Sequence, residues 1–282
     1  MTVPRIASYE IPVDTCLFSP LQLHARTALR LAFGAVTHSV GTQITPWPKL
    51  IYEHAWSFVL VGLRLEPGAL TFEHAGRMLP IRGTLYLRHG RKLVEHRCEI
   101  GPSCRVSTLW RPVALQGTAE LAGLPADADD WLAGHFPDDE RIADKPPRAL
   151  AHERARAEAE LTLVTTSEYA TTVARDECEV ADQWQFLSAA GWVARAREHH
   201  ALAARDPIAR LTLARPLTLM LAEMHNPLYF ASPLVVRSSY YAAATPATGD
   251  LVVVHETFDR SVHGVERLSF VLLEKFAAPM SA

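Results

Sequence analysis

Two stretches of this chain, 163 residues apart, carry one pattern, and a repeat of that span limits the fold to something built twice. The more legible copy is Val173–His200, reading V-A-R-D-E-C-E-V-A-D-Q-W-Q-F-L-S-A-A-G-W-V-A-R-A-R-E-H-H. It opens as a strand, passes an acidic turn (Asp176, Glu177, Glu179, Asp182), and continues without Pro and nearly without polar residues to Arg195. Asp182 reads as a helix cap and Gln185 as its reciprocal acceptor. Trp184, Leu187, Gly191 and Ala194 recur at helical spacing, and Ala189, Ala190 and Ala196 keep the other faces thin. The expectation is a helix enclosed nearly all round.

Sliding the chain along itself sets Ser19 on Asp182, Gln22 on Gln185, Asp14 on Glu177, Leu23 on Phe186 and Leu29 on Trp192. In this first copy Ile6–Val13 reads as a strand. Ser19-Pro20-Leu21-Gln22 then reads as a capping box with Pro at the first helical position, opening a helix from roughly Pro20 to Val36. Strand signals follow each helix. They are Ala55–Leu65, Ala69–His74, Met78–His89 and Lys92–Ile100 in the first half, and Leu211–His225, Ser232–Ala243, Asp250–Phe258 and Val265–Phe276 in the second. Glu120–Arg148 is rich in Ala, Asp and Pro, as a connection would be, and Ala149–Leu161 reads as a solvated linker helix. A strand, an enclosed helix and a run of antiparallel strands make one sheet around one helix.

Composition removes several classes of function. A 282-residue chain with 49% apolar residues can bury one large core or two ordinary ones. No run approaches a membrane span, and Met1–Ile6 lacks a signal pattern, so a soluble protein that stays where it is made is expected. Cys16, Cys98, Cys104 and Cys178 lack zinc spacing and read as reduced thiols in a cytoplasm. A net charge of −3 without Lys/Arg clustering gives no footprint for nucleic acid or a membrane surface.

The second copy resembles the hotdog-fold thioesterases of the 4-hydroxybenzoyl-CoA thioesterase kind. The likeness lies in the acidic turn before the central helix, the Ala194-Arg195-Ala196-Arg197-Glu198 ending, Pro227-Leu228, Tyr240-Tyr241 and the Gly249–Phe258 strand. It runs over roughly Ser167–Phe276 and, more faintly, Ile6–Ile100. The resemblance implies an α+β double hotdog, two antiparallel sheets each wrapped around a central helix. Its parts are an N-terminal hotdog over residues 1–118, a linker with a helix over 119–162 and a C-terminal hotdog over 163–282. The departures are specific. Glu177 and Glu179 stand where the family has aspartates, Phe186 where many members carry His or Asn, and Cys16 at the matching catalytic position of the first copy.

What the resemblance implies is hydrolysis of an acyl thioester carried on coenzyme A or an acyl carrier protein, with no metal and no cofactor. A carboxylate ahead of a helix can activate water or attack the carbonyl, while N–H groups of the first helical turn polarise the oxygen. Glu179 takes the catalytic role on this reading. Glu177 and Asp182 are the neighbouring acids, and Gln183, Trp184 and Phe186 would line the substrate. His24, as a base, and Cys16, as a thiol at a helix start, are the candidates of the first half. Arg26, Arg30, Arg195 and Arg197 are candidates for a basic patch that meets an acyl carrier, although the last two could instead pair with surface acids such as Glu198. His199-His200 end a helix, where a cation complements the dipole. His225–Tyr229 reads as a strand-ending turn, and alternation sends His255 and Glu256 to opposite faces of a strand.

The same slot could serve a dehydratase, a cyclase or an acyltransferase/decarboxylase of the leinamycin type, which Leu228–Ser232 faintly resembles, or a non-catalytic acyl-binding protein. Open sheet edges would allow a homodimer.

Overall fold

A computed structural model of the chain describes residues 6–43, 45–89, 92–114, 145–178, 185–246, 249–262 and 264–278. They fall into two compact units that meet in sequence at Pro146 and Pro147. The first holds strand β1 (Ile6–Pro12), helices α1 (Ala25–Gln43) and α2 (Trp47–Tyr52), and strands β2 (Trp56–Glu66), β3 (Met78–Arg88), β4 (Leu93–Ile100) and β5 (Cys104–Ala114). Its strands pair antiparallel in the order β1-β3-β4-β5-β2, and α1 packs across β3, β4 and β1.

The second unit repeats that order of elements. Helix α3 (Pro146–Glu160) precedes β6 (Thr162–Thr172), α4 (Leu187–Ala203), α5 (Pro207–Leu213), β7 (Leu217–Met224), β8 (Pro233–Ala242), β9 (Leu251–Asp259) and β10 (Arg267–Phe276). Its order, β6-β8-β9-β10-β7, is the first unit's order with each strand replaced by its counterpart, all antiparallel. The β-branched run Val252–Val254 makes β9 a natural central strand, and it is buried along nearly its whole length.

Both faces of β9 and β10 are covered, which explains that burial. On one face α4 stacks Trp192 on Phe270, with ring centres 6.2 Å apart. On the other, α3 sets Ala149, Leu150 and Ala157 into a cluster with Leu221, Val252, Val254, Val271 and Leu273. The linker helix expected to be solvated is therefore half sunk into the second unit, because its alanines form an apolar stripe as well as a good helix.

Local chemistry moved three element boundaries. Ser19 Oγ accepts from the N–H groups of Leu21 and Gln22 at 3.3 and 3.1 Å and donates to the Gln22 carbonyl at 2.9 Å. The expected helix cap thus closes a tight turn, and α1 begins at Ala25, not Pro20. Asp206 caps α5 through the N–H groups of Ile208 and Ala209, so only the later part of Leu211–His225 is strand. Ala69–His74 is a loop with a short 3₁₀ turn, while β5, which the strand reading passed over, is one of the longest strands. Helix α4 is enclosed only over its first half, since Arg195, Glu198, His199 and Leu202 reach solvent.

Candidate active site

The acidic turn leaves β6 at Val173, whose N–H donates to the Ser232 carbonyl at 3.0 Å and whose carbonyl accepts from Ala231 N–H at 3.0 Å. A 3₁₀ turn over Arg175–Glu177 then points the Glu177 side chain inward, where it is 5% exposed. Its carboxylate accepts three hydrogen bonds. Oε2 takes the Ala174 N–H at 3.0 Å, and Oε1 takes the Trp192 indole N–H at 2.9 Å and the Arg195 guanidinium at 2.5 Å. Trp192 and Arg195 stand three residues apart on α4, so one helix face presents both donors. Burial pushes the Glu177 carboxyl up, but the Ala174, Arg195 and Trp192 donors outweigh it and hold the group below the usual carboxylate range.

The Glu177 main chain is held as firmly. Its carbonyl accepts from Gln185 N–H at 2.8 Å and from Ser188 Oγ at 3.4 Å, and Gln185 Nε2 donates to the Cys178 carbonyl at 3.1 Å. Residues on either side of positions 179–184 are thus tied into a neck at the N-terminus of α4. Gln185, expected to reciprocate a cap, is one of the ties. A glutamate accepting three donors cannot readily take a proton from water, so the geometry gives Glu177 a holding role.

Of the other sequence-predicted site residues, Glu179, Asp182, Gln183 and Trp184 lie outside the described residues. Phe186 is half-buried immediately before α4. In the first unit Cys16 is exposed in the 3₁₀ turn Thr15–Leu17, its N–H donating to the Asp14 carboxylate at 2.7 Å. His24 is exposed just before α1; its N–H donates to the Leu17 carbonyl at 3.0 Å, which sets it beside the Cys16 turn.

The expected basic patch is also redistributed. Arg26 and Arg30 are exposed, but Arg195 holds Glu177 and Arg197 pairs with the buried Glu274 at 2.6 Å. Neither arginine pairs as a surface ion pair with Glu198 would.

Glu274 opens a buried polar relay that sequence reasoning missed. His255 Nε2 lies 3.1 Å from Glu274 Oε2, and His255 Nδ1 lies 2.8 Å from Ser238 Oγ. Burial pushes the Glu274 carboxyl up, while the Arg197 charge and the His255 contact more than offset it, leaving the pKa lowered. Burial lowers the His255 pKa, against the opposing effect of Glu274. Ser238, His255 and Glu274 are each 0–1% exposed, so this array of serine, histidine and glutamate ties α4 to β8, β9 and β10 and offers no route for a substrate. Period-two alternation correctly sends Glu256 the other way, to Arg154 of α3 at 2.9 Å. Nothing in the spacing of three distant strands announces the relay.

The rim beside the neck is apolar and cationic. Tyr229 and Phe230 are exposed, with the Arg175 guanidinium 4.0 Å from the Phe230 ring centre. His225–Tyr229 is the expected strand-ending turn, held by the Asn226 side chain on the Leu268 carbonyl at 2.6 Å. Among the described residues no helix is long and apolar enough to cross a membrane.

No family model and no curated sequence matches the chain. Solved structures do. An oleoyl thioesterase assignment from Lactobacillus plantarum superposes with a TM-score of 0.72 at 10% identity, over 98% of this chain and 97% of that one. The 12:0-ACP thioesterase from Umbellularia californica gives 0.71 at 11% identity, over 96% and 93%. An acyl-ACP thioesterase from Bacteroides thetaiotaomicron VPI-5482 gives 0.63 at 11% identity, over 96% and 98%. Identities this low speak to architecture, and on that ground the chain has the fold of the hotdog thioesterase superfamily.

Proposed function

We propose that this protein is a thioester hydrolase of double-hotdog architecture, acting on an acyl group carried by coenzyme A or an acyl carrier protein in fatty-acid, polyketide or related biosynthesis. The observation that carries the reading is the neck at the start of α4. Glu177, Gln185, Ser188, Trp192 and Arg195 tie down both sides of the acid-bearing segment 179–184, where a long helix begins. The kinship of fold with acyl thioesterases over nearly the full length of both chains supports the same class.

On this reading Glu179 is the working acid. It either takes a proton from the water that attacks the thioester carbonyl, or attacks the carbonyl itself. In the second case an acyl-glutamyl anhydride forms, the carrier thiolate leaves and takes up a proton, and water then cleaves the anhydride to the free acid. Backbone N–H groups ahead of α4, with the helix dipole behind them, stabilise the oxyanion. Asp182, Gln183, Trp184 and Phe186 flank the acyl group on the same reading, with Cys16 and His24 as the first unit's counterparts.

The test is release of free thiol from short, long and aromatic acyl-CoA and acyl-pantetheine substrates by wild type and by Glu179→Gln. Turnover of at least one substrate, with a loss of about a hundredfold or more in the variant, supports the assignment. If no substrate releases thiol while acyl analogues bind, hydrolysis is wrong, and the protein holds or otherwise transforms a carrier-bound acyl chain.

A further inference from the structure

Strand β6 ends the sheet of the second unit. It runs eleven residues, Thr162–Thr172, and none of them is buried. Among the described residues it pairs with β8 alone, so its other side presents a row of backbone N–H and C=O groups. Such edges are normally blunted by shortness, proline or charge. Strand β1, which ends the sheet of the first unit, is blunted in this way: it has seven residues, Glu10 is exposed on it, and Pro12 lacks an N–H.

The β6 edge carries none of these devices. It holds no Pro, Gly, Lys or Arg, five of its residues are Thr, and Leu163 and Val164 are 52% and 38% exposed. Its single charge, Glu168, is taken up within its own unit by Arg237 at 3.0 Å and Arg260 at 3.2 Å. The register with β8 shifts between Leu163 and Thr165, which leaves residues 165–172 as the regular run. A long edge of β-forming residues whose one charge is already paired is suited to take another strand.

A second copy of β6 is the strand that fits. Under a two-fold axis perpendicular to the sheet, an antiparallel edge is complementary to itself, and each edge satisfies the other. An unrelated strand would instead leave its own far edge open. The side chains narrow the register. An axis at Glu168 would set two carboxylates against each other. An axis at Tyr169 avoids that and keeps the longest regular overlap, opposing Thr166 with Thr172, Ser167 with Thr171 and Glu168 with Ala170 of the second copy.

We propose that the protein is a two-fold dimer in which β6 of each copy pairs antiparallel about Tyr169, joining the two C-terminal sheets edge to edge. The same patch serves both copies, so assembly closes at two.

The test is sedimentation of the full chain over ~1 to ~100 μM. Wild type is expected to reach twice the chain mass within that range. Thr166→Lys/Thr172→Lys changes two exposed side chains and sets like charges opposite each other at both ends of the overlap. It should weaken the dimer about tenfold or more. Thr166→Lys/Thr172→Glu alters the same two positions but opposes unlike charges, and should bring the affinity back to about that of wild type. Three outcomes overturn the proposal. One is a wild type that stays at the chain mass throughout, as it would if another part of the chain covered the edge. Another is a dimer that Thr166→Lys/Thr172→Lys leaves unchanged, which would place the interface elsewhere. The third is a Thr166→Lys/Thr172→Glu protein that associates no more tightly than Thr166→Lys/Thr172→Lys.

Discussion

At the scale of single residues, Glu177 and His96 show how burial decides what a titratable group does. Glu177 is buried with three donors. Removing its carboxylate in Glu177→Ala should cost about 1–3 kcal/mol, because the Trp192 and Ala174 N–H groups lose their acceptor; chemical denaturation checks it. Its folded pKa lies below the ordinary 4.5, so its contribution is present above that value and is lost as pH falls through the lower, folded one. His96 acts in a different window. Its folded pKa of about 4 lies below the ordinary 6.5, so the unfolded chain binds the extra proton between those values. Stability should fall by about 3 kcal/mol on acidification through that range. In His96→Leu that part of the fall should vanish and the remainder, shared with His255, should stay; a pH series of unfolding curves that superposes on wild type would contradict this. Both groups were visible in the sequence only as an acid and a histidine. Their partners, or lack of them, depend on residues that folding brings near.

At the scale of elements, α4 is fastened at two places, by Arg195 to Glu177 and by Arg197 to the relay through Glu274, His255 and Ser238. Glu274→Ala strands a largely buried guanidinium and one imidazole nitrogen, and should cost about 3–5 kcal/mol. Glu168→Ala removes one member of the exposed set of Glu168, Arg237, Arg260 and Glu266, and should cost less than about 1 kcal/mol. Urea midpoints of the two variants that coincide would deny the relay its structural role. Strands were legible from their apolar runs and the Gly, Pro and Asn turns that break them, and the expected spans of β3, β8, β9 and β10 lie within a residue or two of those observed. Helix starts were not. Ser19 reads as a helix cap in the sequence yet closes a turn, whereas Asp206, which the sequence reading passed over, opens a helix, and only contacts within the fold decide between the two. The apolar stripe of α3 escaped notice because alanine serves a solvated helix and a buried one equally well.

At the scale of the whole molecule, the repeat was the most informative thing in the sequence. Strand, 3₁₀ turn, long helix, short helix and four strands recur in both units with the same strand order, although the two copies share pattern more than identity. Their interiors differ. Under α4 lies a polar network whose histidine is fully paired, and under α1 lies a buried histidine, His96, whose ring nitrogens have no hydrogen-bond partner. A pattern of caps and apolar spacing carries over between copies because it fixes backbone shape, while interior polar residues are free to diverge. The central claim, that Glu177 holds the neck while Glu179 does the chemistry, is tested most directly by measuring the melting temperature and the single-turnover rate of thiol release for Glu177→Gln and Glu179→Gln side by side. The account predicts that Glu177→Gln melts several degrees lower yet retains most of its rate well below that melting point. Glu179→Gln should melt like wild type and lose about two decades of rate or more. A Glu179→Gln protein that hydrolyses at the wild-type rate would contradict it.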